Sequence, residues 1–261
     1  MYKLFFKTVL ILVFLFGGYT FGQKGLKLGG MAMPTFSVLY NADDSRLDGD
    51  IFQYEPLIGM SAGAVLGWNP SDNFGIRLNV LYSQAGGRYS ARESFVDRIN
   101  YTTRLEYLKV PLMFGFHTSS FRRKLMFSFY AGGQMNYLVR ANQFNDNPAF
   151  EPPLPDNVTD YPDAYAQYEA LSYSAVADFG LDVFLVDDFT LNVHLRAEYG
   201  LTDAENKGIS YRLTENGQTN EVLFYPRSRA TTNAVSVGLV IGVTRTFGAR
   251  QNTGIPGTPI P

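Results

Sequence analysis

Apolar and polar residues alternate one by one over long stretches of this chain. The stretches themselves are joined by connections that are alternately short and long. The run from Phe189 to Thr202 is the clearest. Phe189, Leu191, Val193, Leu195, Ala197, Tyr199 and Leu201 share one parity; Thr190, Asn192, His194, Arg196, Glu198, Gly200 and Thr202 share the other. Successive side chains of a strand point to opposite faces, so one face of this segment is greasy and the other polar. The last run repeats the pattern, with Val235, Val237, Leu239, Ile241 and Val243 set against Ala234, Ser236, Gly238, Val240, Gly242 and Thr244. The spacings of three and four that mark an amphipathic helix are missing here.

The same reading predicts eight strands, over 25–40, 56–68, 74–90, 101–117, 125–141, 171–186, 189–203 and 231–247. Each is longer than the ~9–11 residues that a tilted strand needs to cross a bilayer. Residues 69–73, 118–124 and 187–188 are short turns, whereas 41–55, 91–100, 142–170 and 204–230 are long polar connections. This alternation, with an even strand count, points to an all-β fold: an eight-stranded antiparallel up-and-down transmembrane β-barrel. Its short turns would lie in the periplasm and its long loops outside the cell. A soluble eight-stranded barrel would place its apolar residues inside. The segment 56–68 argues against that, because the face left for water would carry only Gly59, Ser61, Gly63, Val65 and Gly67. The opposite face ends at Trp68, beside a short turn, where an interfacial aromatic girdle belongs.

Composition narrows the compartment. The 261 residues suffice for one large domain, and a net charge of −2 argues against a nucleic-acid surface. Lys3 and Lys7, the apolar run Val9 to Phe16, and small residues before Gln23 read as a secretory signal peptide over 1–22. The barrel then occupies 23–247, and a Gly/Pro-rich flexible tail follows over 248–261. The expected location is the outer membrane of a Gram-negative bacterium. The absence of cysteine excludes disulfides, a lipoprotein anchor and thiolate metal sites.

Turning the polar face inward gathers Lys27, Arg77, Lys109, Arg140, Asp178, Asp182, His194, Arg196 and Glu198 in the lumen. An Arg or Lys facing lipid at mid-bilayer would cost ~2–4 kcal/mol, and inward pairing avoids this. Arg77, Lys109, Asp178, Asp182, His194, Arg196 and Glu198 form the expected polar network, with Asp178 and Asp182 across a tight turn from Arg196 and Glu198. An eight-stranded barrel is just wide enough for side chains to fill, so a structural lumen is favoured over a pore. In 101–117, Leu108, Val110, Leu112, Phe114 and Phe116 make the lipid face. Leu105 and Tyr107 fall in the opposite phase, which calls for a bulge or for a strand that has left the membrane. Neither His117 nor His194 stands beside a serine and an acid at the outer rim, so no catalytic residue is assigned. No metal-ligand spacing and no cofactor motif occur. The long connections carry Tyr161, Tyr165, Tyr168, Phe224 and Tyr225 among prolines and charges, and these are candidate partner-binding residues at the cell surface. The expected partners are outer-membrane lipid and proteins meeting these loops, with no nucleic acid.

Three segments resemble a known family. Gly25-Leu26-Lys27-Leu28-Gly29-Gly30, Glu106-Tyr107-Leu108-Lys109-Val110-Pro111-Leu112 and Phe129-Tyr130-Ala131-Gly132-Gly133 are similar to strands of the PorT-like outer-membrane β-barrel proteins of Bacteroidota. The resemblance implies an eight-stranded barrel, and some relatives are linked to type IX secretion and gliding. It supplies no catalytic residue. The function expected is a non-enzymatic structural or partner-binding barrel, with a place as an accessory subunit of a secretion or uptake assembly. The alternatives are a narrow small-solute channel and a surface enzyme acting on lipid or peptide.

Overall fold

The computed structural model describes residues 25–41, 52–71, 73–91, 99–118, 125–145, 158–159, 163–186, 188–215, 218–223 and 230–247. The expected signal peptide and tail lie outside them, as do Tyr161, Phe224 and Tyr225. The strands, in chain order, are β1 (Gly25–Asn41), β2 (Phe52–Glu55), β3 (Leu57–Asn69), β4 (Phe74–Ala91), β5 (Ile99–His117) and β6 (Leu125–Asn145). They continue with β7 (Val158–Thr159), β8 (Leu171–Val186), β9 (Phe189–Gly200), β10 (Ser210–Glu215), β11 (Gln218–Leu223) and β12 (Thr232–Phe247).

One sheet runs β2-β4-β3-β1-β12-β9-β8-β6-β5, and a further β4–β5 pairing closes it. β2 is a short extension beside β4; the other eight strands form a closed antiparallel barrel in which β1 also pairs with β12. Closure leaves no sheet edge in the membrane, where an unpaired backbone group would cost several kcal/mol.

The parity of the sequence becomes the inside and outside of this wall. Leu28, Phe36, Ile58, Leu112, Phe179, Leu195 and Ile241 project outward and are exposed. Two aromatic belts bound this surface. Trp68, Phe116, Phe127, Phe189 and Phe247 ring the end with the short turns, and Tyr40, Tyr82, Tyr137, Tyr173 and Tyr199 ring the end with the long connections. At the short end, Ser71 Oγ accepts from Phe74 N at 3.2 Å and Asn73 O accepts from His117 N at 2.9 Å, tying two turns together.

Three features depart from the sequence reading. First, β5 never changes phase: Thr103, Leu105, Tyr107, Lys109, Pro111 and Met113 all face inward. The irregularity lies in its neighbour, where Glu106 pairs with Arg140 but Tyr107 pairs with Leu138. The extra residue, Val139, makes a β-bulge that reverses the parity of β6. Arg140, expected in the lumen, is therefore exposed on the outer wall. Second, the lumen is not purely polar. Met31, Met33, Val65, Leu81, Met113, Val176 and Val240 are buried inside it, because a solid barrel interior is governed by packing rather than by hydration. Third, the two longest connections contain structure. β10 pairs with β11 and with β7 to form a separate three-stranded sheet, and residues 163–170 fold over the barrel mouth.

Candidate functional site

The inward-facing polar residues assemble into connected layers. Nearest the short turns, Asp182 on β8 accepts from three sides. Asn192 Nδ2 lies 2.5 Å from Oδ1, His194 Nε2 lies 2.9 Å from the same oxygen, and the Ser128 hydroxyl donates to Oδ2. His194 Nδ1 is 3.4 Å from Arg77 Nη1. A guanidinium can only donate, so Nδ1 accepts and the Nε2–H points at Asp182. Tyr130 lies against the His117 ring, with its hydroxyl 3.0 Å from Nε2, and His117 Nδ1 is 3.2 Å from Ser128 Oγ. The Arg77 guanidinium stacks over the Tyr130 ring at 3.9 Å. Gly115 makes this possible, since a Cβ there would stand 2.2 Å from the Tyr130 ring.

One layer up, Arg196 Nε and Nη2 grip Asp178 at 2.6 and 2.8 Å, the bidentate geometry that suits a guanidinium and a carboxylate. Arg77 reaches the same carboxylate at 3.9 Å. Above this, Lys109 Nζ meets Glu198 Oε2 at 2.6 Å, and Gln134 and Ser236 donate to that oxygen at 3.3 and 3.1 Å. Arg196 and Asp178 are both 0% exposed, so this pair is shut off from bulk solvent. Lys27, at the short-turn mouth, is buried, and among the described residues its ammonium has no hydrogen-bond partner.

An apolar cap closes the other end. Leu39, Ala85, Leu105, Tyr107, Leu138 and Ala141 of the wall pack with Tyr168 and Ala204 from the connections. Tyr168 is 3% exposed, where the sequence reading expects a surface ring; its hydroxyl meets Thr103 at 3.3 Å and Gln143 at 3.1 Å. Backbone bonds from Leu138 N to Ala170 O and from Glu169 N to Ala204 O, both near 3 Å, pin the segment down. Tyr165 stays half exposed, with its hydroxyl donating to Leu138 O at 3.2 Å. Between the cap and the Lys109–Glu198 pair lies a cavity of about 20 Å³, bordered by Ser37, Tyr107, Asn136, Ser172 and Ser174. That is room for about one water.

Arg77, Asp178, Asp182, His194 and Arg196 thus form one cluster, and Lys109 and Glu198 a second above it. Sequence reasoning passed over Tyr130, His117, Ser128, Asn192 and Gln134 as members, although parity alone places each of them inward. Asp182, Ser128 and His117 are the residue types of a hydrolytic triad, but in the wrong order. In a triad the histidine stands between serine and acid. Here the serine stands between, its proton is directed to Asp182, and all three are buried within the wall. Among the described residues, no group of three or more His, Asp or Glu side chains is placed to hold a metal.

A family model described as an outer membrane protein beta-barrel domain matches residues 50–206. No curated protein matches the sequence. Among solved structures, the chain is similar to the outer membrane protein OprG of Pseudomonas aeruginosa, at 11% identity and a TM-score of 0.47, over 87% of this chain and 98% of that one. Neisserial surface protein A (NspA) is similar at 12% identity and a TM-score of 0.43, over 87% and 100%. The outer membrane protease OmpT of Escherichia coli is similar at 10% identity and a TM-score of 0.35, over 89% and 100%.

Proposed function

Since the chain belongs to the outer membrane protein beta-barrel domain family, we propose that it serves as a non-enzymatic structural or partner-binding barrel in the outer membrane of a Gram-negative bacterium. The observation that carries this reading is the filled lumen: buried ion pairs span it, and Tyr168 and its neighbours seal one end. In the usual orientation of such barrels the capped end faces the exterior. There the β10–β11 hairpin, with Leu223 exposed, and Tyr165 stand available to a protein partner. The PorT-like resemblance of the first, fifth and sixth strands supports a bacteroidotal source and an accessory place in a secretion assembly. Residues 1–22 act in this reading as a cleaved signal peptide, and 248–261 as a flexible tail.

The test is electrical. Purified protein inserted into planar bilayers is expected to give no steady conductance above the bare membrane. A large, stable conductance would overturn the filled-lumen reading. A second reading, a narrow small-solute channel, draws on the cavity above Lys109 and Glu198. It requires the 163–170 segment to leave the mouth, and small discrete openings in the same recordings would favour it.

A further inference from the structure

The bulge in β6 does more than shift a register. Were β6 regular past Leu138, with Val139 an ordinary ladder residue, the alternation that turns Gln134, Asn136 and Leu138 inward would turn Arg140 inward as well. Arg140 would then enter the apolar cap beside Leu138 and Ala141. The extra residue instead delivers its guanidinium to the outer wall. Arg104 on β5 is exposed on the same face. Arg104 pairs across the ladder with Asn142, and Glu106 pairs with Arg140, so the two arginines are diagonal neighbours. Their Cα atoms are then roughly 7–8 Å apart.

Among the described residues, neither guanidinium is held by a short contact. The carboxylate between them, Glu106, is taken by the Tyr82 hydroxyl at 2.5 Å. Among the described residues neither Arg104 nor Arg140 has a hydrogen-bond or ion-pair partner. Their height along the barrel is also informative. From Phe127 in one aromatic belt to Tyr137 in the other, at ~3.3 Å per residue and a tilt of roughly 40°, the axial rise is about 25 Å, the height of the apolar band of such barrels. Arg140 lies three residues beyond Tyr137, and Arg104 four beyond Leu108, which faces Tyr137. Both therefore stand just past the hydrocarbon edge, where an outward arginine costs only ~0–1 kcal/mol and where lipid phosphates lie.

We propose that Arg104 and Arg140 form a binding site on the outer wall of β5 and β6 for the phosphate of an anionic lipid headgroup. Tyr82 and Tyr137 flank the acyl chains below, and the Tyr82 hydroxyl holds the neighbouring Glu106 carboxylate by one oxygen. A phosphate between two guanidiniums accepts from both, which a zwitterionic headgroup does less well because its own cation competes. The proposal needs only the barrel's place in the bilayer, not the closed lumen.

Native mass spectrometry of the folded full-length barrel, released from micelles doped with equal phosphatidylglycerol and phosphatidylcholine of the same chain length, tests it. The expected result is retention of phosphatidylglycerol in preference, falling about fivefold for Arg104→Gln or Arg140→Gln and about 25-fold for both together. Lys207→Gln, in a segment whose lysine is paired with Asp203, is expected to leave the preference unchanged. Heat-modifiable gel mobility reports that each variant is folded. Equal retention of the two lipids by the unaltered protein would overturn the proposal, as would an undiminished preference in the double variant.

Discussion

Asp178 holds a demanding position. It neutralises Arg196 through two short bonds, stands 3.9 Å from Arg77, and is wholly buried. Burying such a group is unfavourable, and removing one partner leaves the other charge dry and uncompensated, a loss of ~3–5 kcal/mol. Asp178→Ala is therefore expected to lower stability by about that amount in denaturant unfolding from lipid vesicles. A loss below ~1 kcal/mol would mean that water reaches Arg196 and that the lumen is wet. Parity alone was enough to send Asp178, Arg196, Lys109 and Glu198 inward, because each lies on a regular strand. It failed for Arg140, since a single inserted residue leaves no mark in the alternation on either side of it. It failed also for Tyr168, whose burial depends on a connection folding back onto strands far away in sequence.

At the scale of the strand, close approach is set by glycines whose neighbours differ sharply. Gly115 on β5 faces the lumen against the Tyr130 ring, whereas a Cβ on Gly133 of β6 would meet nothing within 4 Å. Gly115→Ala is expected to displace Tyr130 from Arg77 and His117 and to destabilise the barrel by ~1–3 kcal/mol. Gly133→Ala is expected to be neutral or slightly stabilising, because it only restricts the unfolded chain. Equal midpoints for the two variants in parallel urea titrations would show that Tyr130 does not require its present seat. The eight long strands were legible because lipid on one side and a packed lumen on the other impose strict alternation. β10 and β11 were not, since β11 is polar and exposed on nearly all positions and so carries no period. The signal that marks them is Asn216-Gly217, a dipeptide favoured in two-residue hairpins, and the register joining Glu215 to Gln218 agrees with it.

For the molecule as a whole, the proposed filled lumen makes closure redundant. Tyr168 and the apolar cap seal one end, while the Lys109–Glu198 and Arg196–Asp178 layers fill the wall-to-wall space beneath. Tyr168→Ala by itself is expected to leave bilayer conductance at background. Adding Lys109→Ala and Glu198→Ala, which removes both charges of the pair together, is expected to raise it to a steady ohmic level. Steady conductance from Tyr168→Ala alone would show that the ion-pair layers do not seal.

The sequence by itself determined the strand count, the antiparallel order and the two faces of the wall. These follow from contact of each residue with one of two solvents, lipid or lumen, and a period of two records that contact directly. Only the tertiary structure decided which side chains pair across the lumen, that Arg140 stands on the outer wall and that Tyr168 is buried in the cap at the barrel mouth. Each of those depends on a register between strands or on a connection folding back over the mouth. Such relations join residues distant in the chain, and no local pattern of polar and apolar positions encodes them.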